Sequence, residues 1–412
     1  MDGTAYDGPR RRESDGETGR LRIAVCAYLW NWGGSDIASI RIARLLQAQG
    51  HDVTLLVPDS GSLVEAMIPE GLETFRFGAD NRFARLCGAF RLTAADRTPL
   101  LRVARKILHL CSGRRRYLPY DYAVRHLTGL PEREFDVVLD TEGYGHVNTA
   151  LCARLACARR ATWVHSVELD WMKGAYPYLR DFDRIYCVSE TVRRGFDARY
   201  PELSDRTQVL YNPVDEAEIR DLALRPPTLY DPAGDGLLRI ITVSRLSWEK
   251  NLGAVIDIAT RLRARGLRFR WDILGDGEER ETLRRRIAQE GLDDVCMLRG
   301  TTPNPFPYVR AADLYVQTSI REGYGLGVQE ARILGVPCVV SDIAAFREQI
   351  RDGETGYLCA DVDAFVERMA ELAAHPERRR AMSERLGREP AVDDASQRRL
   401  LSFVNGEEHD ER

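Results

Sequence analysis

Two glutamates, Glu322 and Glu330, lie eight residues apart in the stretch QTSIREGYGLGVQEARILGVPCVVS (317–341). Glu322 follows an apolar run of strand length, and Glu330 lies in a segment with helical spacing. The tripeptide Gly323-Tyr324-Gly325 precedes this helix, where backbone N–H groups and the helix dipole favour an anion. A carboxylate accepts hydrogen bonds from a sugar's hydroxyl pair, so one glutamate suits a ribose and the other a hexose. The alternative is two surface glutamates beside a turn.

A second group of candidate residues follows the apolar run LRIITV, in the segment SRLSWEKN (244–251). Arg245 and Lys250 flank a turn there, and two cations so placed can converge on a diphosphate. A third segment, GDGEER (275–280), is similar to a dinucleotide-binding fingerprint. It lacks the third glycine, because Arg280 stands at that position, and a tight turn into a helix is the favoured interpretation.

The N-terminal half offers two further candidates for the same chemistry. Gly33 and Gly34 precede a helical segment, so their backbone can approach phosphates. His165 ends the apolar run ATWVHS, a position where a histidine can act in catalysis, although a lone histidine is often structural. No metal site is predicted, because the Asp-x-Asp patterns at 181–183 and 361–363 are frequent accidents in an aspartate-rich chain.

Apolar runs of strand length alternate with helical segments, which predicts parallel sheets covered by helices on both faces. A first series comprises LRIAVCAY (21–28), DVTLLV (52–57), FDVVLD (135–140), ATWVHS (161–166), DRIYCVS (183–189) and TQVLYN (207–212). A second series follows a proline-bearing stretch (224–236) and comprises LRIITVS (238–244), FRWDILG (269–275), VCMLRG (295–300), DLYVQT (313–318), VPCVVS (336–341) and GYLCA (356–360). We therefore predict two Rossmann-like, doubly wound α/β domains facing a central cleft, with ligands beyond the carboxyl ends of the strands.

The predicted organisation has four parts. These are a disordered N-terminal tail (1–20), a first Rossmann-like domain (21–215), a second Rossmann-like domain (216–390) and a closing segment (391–412). The closing segment contains RRLLSFV (398–404), which we expect to pack back on the first domain.

Composition excludes several classes of protein. A chain of 412 residues with 44% hydrophobic and 30% charged residues is typical of a globular protein. A net charge of −4 argues against nucleic-acid binding by bulk electrostatics. No apolar run approaches a membrane span, and the first twenty residues lack a signal peptide's apolar core, so we expect a cytoplasmic protein. Nine scattered cysteines without a CxxC pair predict reduced core thiols rather than zinc ligands or disulfides.

Residues 80–126 form a basic insert with eleven basic and three acidic side chains. Apolar residues between 100 and 110 follow helical spacing, with Arg102, Arg105 and Lys106 between them. Such a helix is suited to an anionic membrane surface, which would make the protein peripheral at the inner face, or to an acidic acceptor. The alternative is a helix that packs on the sheet and exposes a basic face to solvent.

The order of these segments resembles glycosyltransferase family 4, retaining enzymes of GT-B fold, and in particular its bacterial surface-polysaccharide members. The resemblance covers residues 21–375, and its most specific parts are the two glutamates with seven residues between them, RLSWEKN and NPFPYV. Family members often read Gly-Gly-x-Glu-Arg after the first strand. This chain has Asp36 and Ile37 at the last two positions, so the contact made by that arginine is not expected here.

The resemblance implies a role for each candidate residue. Glu330 matches the residue that holds the donor ribose, and Glu322 and His165 match residues that face the transferred sugar at the reacting centre. The remaining matches are to the donor diphosphate, namely Arg245 and Lys250, the amides of Gly323, Tyr324 and Gly325, and the loop Gly33-Gly34. GT-B enzymes generally need no metal, and the expected donor is a UDP-sugar, with a GDP-sugar as the second choice.

The residues and the resemblance agree on transfer of a sugar from a nucleotide-diphosphate sugar to a hydroxyl acceptor with retained anomeric configuration. A lipid-linked or soluble glycan is the expected acceptor, in polysaccharide or glycoconjugate biosynthesis, and no cofactor is expected. Alternatives are transfer to a small-molecule natural product, a nucleotide-sugar epimerase or phosphorylase, and a non-catalytic nucleotide-sugar-binding partner on the same scaffold.

Overall fold

The computed structural model describes residues 19–29, 33–59, 68–80, 84–85, 118–143, 147–170, 172, 176–228, 237–389 and 394–407. The chain divides into two compact units, one made of Met1–Pro213 together with Asp394–Arg412 and the other of Val214–Asp393. Both are α/β units built on sheets of mainly parallel strands, which confirms the predicted fold class. Most of the predicted basic insert and of the predicted N-terminal tail lies outside the described residues.

The sheet of the first unit has the strand order β4-β3-β2-β1-β5-β6-β7-β8, parallel except for the antiparallel pair β3 and β4. Its strands are β1 (Arg22–Cys26), β2 (Asp52–Pro58), β3 (Glu73–Ala79), β4 (Leu127–Thr128), β5 (Val137–Asp140), β6 (Arg159–Val164), β7 (Arg184–Cys187) and β8 (Thr207–Val209). Its helices before residue 214 are α1 (Gly34–Ala48), α2 (Leu118–Arg125), α3 (Val147–Arg154), α4 (Tyr176–Leu179), α5 (Glu190–Arg199) and a 3₁₀ turn (Pro201–Arg206). Because β1 pairs with both β2 and β5, the strand order reverses at β1, where ligands of such sheets bind.

The sheet of the second unit is wholly parallel, with the order β11-β10-β9-β12-β13-β14. Its strands are β9 (Leu238–Val243), β10 (Phe269–Leu274), β11 (Cys296–Gly300), β12 (Leu314–Gln317), β13 (Cys338–Ser341) and β14 (Gly356–Cys359). Its helices are α6 (Glu216–Leu222), a 3₁₀ turn (Trp248–Lys250), α7 (Leu252–Ala264), α8 (Arg280–Gln289), α9 (Phe306–Ala311), α10 (Leu326–Ile333), α11 (Ala344–Arg347), α12 (Val362–Ala374) and α13 (Pro376–Leu386). Here the order reverses between β9 and β12, so the loops after these two strands are neighbours.

The two faces of the second sheet are covered by separate apolar clusters. Trp271 and Val316 lie in the cluster that includes α7 and α12, while Tyr315 and Val340 lie in the cluster that includes α10 and α11. Burial on both faces explains why these strands are almost continuously apolar.

A final helix, α14 (Asp394–Asn405), belongs to the first unit. The Ser396 hydroxyl accepts a hydrogen bond from the Tyr211 backbone N–H at 3.1 Å, and Arg159 donates to the Val404 carbonyl at 2.7 Å. The Phe403 ring meets Tyr186 edge-on, with 6.0 Å between centroids. These contacts attach residues that follow the second unit in sequence to the sheet of the first.

Five of the seven described cysteines lie on strands, and Cys152 and Cys157 lie in the same apolar cluster as Cys26. Each described cysteine is buried, as predicted, and none of these seven forms a disulfide; Cys87 and Cys111 lie outside the described residues. The strands β3 and β4 were not predicted, because β3 is mostly half-exposed and its sequence, ETFRFGA, lacks a continuous apolar run.

No helix in the described parts of the chain is long and apolar enough to span a membrane.

The turn after β5 depends on a glycine. Gly143 has a φ of 55°, and a Cβ there would lie 1.4 Å from the carbonyl oxygen of Trp163. The Asp140 carboxylate closes the turn by accepting from the Gly143 N–H at 3.3 Å and from Thr149 and Thr162 at 2.6 and 2.9 Å. The chain after β5 therefore passes directly against the end of β6.

We expect Gly143→Ala to lower the unfolding free energy by about 3 kcal/mol or more, because the backbone of β6 must move to admit the methyl group. Gly50→Ala is the matched control, since Gly50 also has a positive φ, 87°, but a methyl group there would meet nothing within 4 Å. Its cost is about 1 kcal/mol. Denaturant unfolding measures both values, and equal losses would contradict this packing account.

Candidate active site

The loops after β9 and β12 in the second unit bring Lys250 and Glu322 together. The Lys250 Nζ donates to Glu322 Oε1 at 2.7 Å, and both side chains are largely buried, with 16% and 12% of their surfaces exposed. The loops are also joined by the Ile320 N–H, which donates to the Glu249 carbonyl at 3.0 Å. The predicted cation and the predicted sugar-facing carboxylate therefore form one ion pair at the point where the strand order reverses.

Glu322 has a second donor besides Lys250. The Ser319 hydroxyl donates to the same oxygen, Oε1, at 2.8 Å. A carboxylate held by two donors on one oxygen has a defined orientation. Within the described chain, Oε2 makes no hydrogen bond, so it is the oxygen available to a ligand.

Arg245 lies at the other end of the loop after β9. Its Nη2 contacts Glu249 Oε1 at 2.8 Å, and the Ser247 hydroxyl donates to the same oxygen at 2.6 Å. Burial acts to raise the pKa of Glu249, but the Ser247 hydrogen bond and the charges of Arg245 and Lys250 outweigh it and lower that pKa. The Arg245 side chain is half exposed and therefore accessible to an anionic ligand.

The predicted anion-binding turn leads into α10. Gly325 is the N-cap of this helix with a φ of 95°, and a Cβ there would lie 2.6 Å from the Phe346 ring, so only glycine fits. The Gln349 side chain donates to the Tyr324 carbonyl at 2.6 Å and fixes the turn from the other side. The first turn of α10 has no acidic residue, so no carboxylate of that turn neutralises the positive end of the helix dipole.

Glu330 lies on α10 near the same strand end. Burial raises the pKa of the Tyr315 hydroxyl well above its usual value, and the charges of Cys338, Glu330 and Glu322 raise it further. Both glutamates therefore lie within electrostatic reach of one buried hydroxyl on β12. The structure groups the predicted residues Lys250, Glu322 and Glu330 around the end of this strand.

The first unit places His165 directly after β6. Its Nε2 lies 2.6 Å from the Thr141 carbonyl oxygen, which can only accept, so Nε2 carries the proton. Burial lowers the pKa of His165 to about 4, although this hydrogen bond and the charge of Asp36 act in the opposite direction. The imidazole is therefore neutral at pH 7.

Two buried carboxyl groups lie close to His165, one in the first turn of α1 and one on the loop after β5. Asp36 and Glu142 are 3% and 2% exposed. Burial raises the pKa of Glu142 well above its usual value, and the charge and hydrogen bond of Asp36 raise it further; the Tyr28 N–H and Ser35 hydroxyl act against this. Glu142 therefore keeps its proton to higher pH than an exposed glutamate.

The predicted glycines Gly33 and Gly34 begin α1. Gly33 is the N-cap, and its N–H donates to the Asp36 carboxylate at 3.3 Å. The buried Asp36 side chain therefore closes the first turn of α1. Family members often have glutamate at this position. The contact of the two glycines with a donor stays a prediction, as do the ligand contacts of the other candidates.

The aspartates of the two Asp-x-Asp patterns have structural partners. Asp361 caps α12 by accepting from the Ala364 N–H at 2.9 Å, and Asp363 pairs with Arg261. Asp183 accepts from the Arg160 N–H at 2.9 Å. Among the described residues no group of three or more histidine, cysteine or acidic side chains is placed to hold a metal ion.

Sequence reasoning missed the supporting residues of both units. Ser319 and Gln317 behind Glu322 and the pair Asp36 and Glu142 were not singled out as interacting groups. One signal was present for Gln317, a polar side chain inside the apolar run DLYVQT. The other contacts join residues distant in sequence, or residues of a loop, and leave no periodic pattern.

Two family models match the chain. Glycosyltransferase Family 4 matches residues 32–218, and Glycosyl transferases group 1 matches residues 233–387. The two ranges correspond closely to the two structural units.

Two curated bacterial proteins are similar over part of the chain. The GtfA subunit of the Streptococcus gordonii UDP-N-acetylglucosamine–peptide N-acetylglucosaminyltransferase is 29% identical over 43% of this chain and 33% of its own length. The putative colanic acid biosynthesis glycosyltransferase WcaL of Salmonella typhimurium is 32% identical over 33% of this chain and 36% of its own length. The chain thus spans about one third of the length of these relatives.

A solved structure matches nearly the whole chain. A mutant of S. aureus TarM, crystallised with fondaparinux, alpha-GlcNAc-glycerol and UDP, superposes with a TM-score of 0.66 at 12% identity, covering 94% of this chain and 99% of that one. The fold is therefore GT-B. With matching family models in both of its units, the chain belongs to the glycosyltransferases of GT-B fold that are similar to glycosyltransferase family 4.

Proposed function

We propose that the protein transfers a sugar from a nucleotide-diphosphate sugar to a hydroxyl acceptor with retention of anomeric configuration. The observation that carries this proposal is the grouping of Lys250, Glu322 and Glu330 at the end of β12, with Arg245 on the adjoining loop. Cations and carboxylates side by side suit a ligand that has both a diphosphate and sugar hydroxyls.

In this proposal the residues of the second unit bind the donor. Glu330 holds the ribose, while Arg245, Lys250 and the turn Gly323-Tyr324-Gly325 face the diphosphate. In this proposal the Lys250 ammonium, which contacts Glu322, divides its charge between Glu322 and a phosphate oxygen of the donor. The outward oxygen of Glu322, Oε2, then faces the transferred sugar.

The first unit supplies His165 as a neutral hydrogen-bonding group near the reacting centre. Its Nε2–H is committed to the Thr141 carbonyl, so the ring orientation is fixed. A neutral imidazole does not repel the positive charge that develops on the sugar as the bond to the diphosphate breaks. Gly33 and Gly34 at the start of α1 approach the phosphates in the same proposal.

The chemical step follows from these charges. The bond between the sugar and the diphosphate breaks as Arg245, Lys250 and the start of α10 stabilise the growing negative charge on the leaving oxygen. The acceptor hydroxyl forms the new bond on the same face of the sugar and gives its proton to that leaving oxygen. Electrostatic stabilisation of the leaving group is then the main catalytic effect, and no strong general base is required. We propose a metal-independent reaction for this reason, since the cations of the protein do the work of a metal at the diphosphate.

The similar proteins support a choice of donor and acceptor. The TarM crystals contain UDP, and the S. gordonii relative is named for UDP-N-acetylglucosamine, so a UDP-sugar is the proposed donor, ahead of a GDP-sugar. WcaL is named for colanic acid biosynthesis, which favours a lipid-linked or soluble glycan as acceptor in polysaccharide or glycoconjugate synthesis. The reaction would take place in the cytoplasm, with the basic residues 80–126 as the segment that meets an anionic membrane.

The donor class is testable by thermal shift with UDP-, GDP-, ADP- and TDP-sugars. A ligand that binds only the native state at 100 times its Kd stabilises it by about 2.7 kcal/mol. We expect the UDP-sugars to raise Tm most and Glu330→Gln to lose most of this shift, since an amide is a poorer partner for a hydroxyl pair. Glu290→Gln, at an exposed helix end, is the control. No shift with any nucleotide sugar would contradict the proposed function, and an isomer formed from the donor alone would indicate an epimerase.

We expect Arg245→Ala to reduce the transfer rate about 100-fold, because it removes one of the cations that stabilise the leaving diphosphate. The unfolding free energy should change by less than about 0.5 kcal/mol, since the side chain is half exposed. Arg284→Ala, on the exposed face of α8, removes an arginine without this role. Released nucleoside diphosphate measures the rate, and an unimpaired Arg245→Ala variant would rule out this assignment.

The neutral, partly buried imidazole of His165 predicts a pH-dependent stability. Its folded-state pKa of about 4 lies below the unfolded value of about 6.5, so its contribution to stability is present above pH 6.5 and is lost as the pH falls towards 4. Between pH 7 and pH 5 this loss amounts to about 2 kcal/mol. We therefore expect the Tm difference between His165→Gln and the wild type to shift in favour of the variant at pH 5. His375→Gln, at an exposed helix terminus, controls for the loss of a histidine as such, and a pH-independent difference would contradict the neutral, partly buried imidazole.

A further inference from the structure

We propose that a buried row of side chains on β12 orients the Glu322 carboxylate for the transfer step. The row consists of Tyr315, Gln317 and Ser319, which are positioning residues, because they touch no reacting atom. This inference rests on the proposed function and deepens it by naming residues that set the geometry of the same site.

The row follows from the alternation of side chains along a strand. Tyr315, Gln317 and Ser319 are spaced by two residues, so they share one face of β12 and its extension. All three are almost fully buried, at 0%, 3% and 0% exposure. Polar groups buried in this way require partners, and here each finds one in its neighbour on the same face.

The hydrogen bonds of the row run in one direction. The Tyr315 hydroxyl lies 3.1 Å from Gln317 Oε1 and 3.1 Å from the Val243 carbonyl, both of which only accept. Gln317 Nε2 donates to the Ser319 hydroxyl at 2.8 Å. Ser319 in turn donates to Glu322 Oε1 at 2.8 Å. Since a carboxylate only accepts, Ser319 donates to Glu322 and accepts from the Gln317 amide, which turns Gln317 Oε1 toward Tyr315. The single proton of the Tyr315 hydroxyl is shared between Gln317 Oε1 and the Val243 carbonyl.

The row determines which oxygen of Glu322 faces outward. Lys250 alone, on a flexible stem, would hold the charge of Glu322 without fixing the plane of its carboxylate. Ser319 adds a short bond to the same Oε1 from a side chain with a single rotatable torsion, which is itself held by Gln317. Oε1 is thereby committed to Lys250 and Ser319, which leaves Oε2 as the oxygen that faces the transferred sugar in the proposed reaction.

The neighbouring residue Thr318 points to the opposite face and serves a different purpose. Its hydroxyl lies 3.0 Å from the carbonyl oxygens of Lys250 and of Asn251. Thr318 therefore fastens the backbone of the cation-bearing loop, while Ser319 fastens the carboxylate. Two consecutive hydroxyls beyond β12 thus place the two charges of the ion pair.

The test compares kcat and donor KM for Ser319→Ala and Tyr315→Phe with the wild type. We expect Ser319→Ala to lower kcat about 10-fold with KM changed less than about twofold, because the orientation of the carboxylate matters to the step and not to donor binding. Tyr315→Phe, two hydrogen bonds further away, should lower kcat about threefold. Ser319→Cys, which restores a weak donor, should recover part of the loss.

Thr242→Val is the stability-matched control. Thr242 is a buried hydroxyl of the same sheet, which donates to the Val316 carbonyl at 2.7 Å and accepts from Trp271, away from Glu322. If the row had only a structural role, kcat would fall with Tm in Ser319→Ala and in Thr242→Val alike. The proposal predicts that Thr242→Val loses stability while its kcat stays near the wild-type value.

The outcomes separate this inference from the function on which it rests. Absence of transfer by the wild type with every donor would overturn the proposed function and the row's role together. Transfer by the wild type, with kcat of Ser319→Ala and Tyr315→Phe equal to it, would overturn the row alone. If Ser319→Ala fails to fold, Tyr315→Phe decides, since it keeps the buried ring.

Discussion

The ion pair between Lys250 and Glu322 is the interaction on which the second unit's site depends. Its two residues are far apart in sequence and meet because β9 and β12 are adjacent where the strand order reverses. Both side chains are mostly buried, so removing either would leave an uncompensated charge that water screens poorly. The buried hydroxyls of Thr318 and Ser319 and the backbone bond from Ile320 to Glu249 fix its geometry.

The first unit uses the same construction with different chemistry. Four consecutive residues at the end of β5 and after it have separate roles. Asp140 accepts a hydrogen bond that closes the turn, and the Thr141 carbonyl orients His165. Glu142 interacts with Asp36, and Gly143 lacks the Cβ that would collide with the backbone of β6. Asp36, which stands where family members often have glutamate, therefore keeps a carboxylate at this position. That carboxylate is buried against Glu142 from the neighbouring strand end.

The sequence allowed prediction of those features that depend on local pattern. Continuous apolar runs indicated most strands, and residues directly after them, such as Glu322 and His165, became candidates because ligands bind at strand ends. The half-exposed strand β3 was not predicted, because its sequence has no such apolar run. The Lys250 contact to Glu322 and the burial of Glu142 against Asp36 could not be predicted, since they depend on which strands become neighbours in the sheet.

We expect Lys250 and Glu322 to act as one charged unit during transfer, and a double-mutant cycle on the transfer rate measures this coupling. The cycle compares Lys250→Ala, Glu322→Gln and the double variant with the wild type. A coupled pair gives strong non-additivity, with the double variant little slower than the slower single variant. Additive losses in activation free energy would show that the two residues act independently and would rule out this coupling.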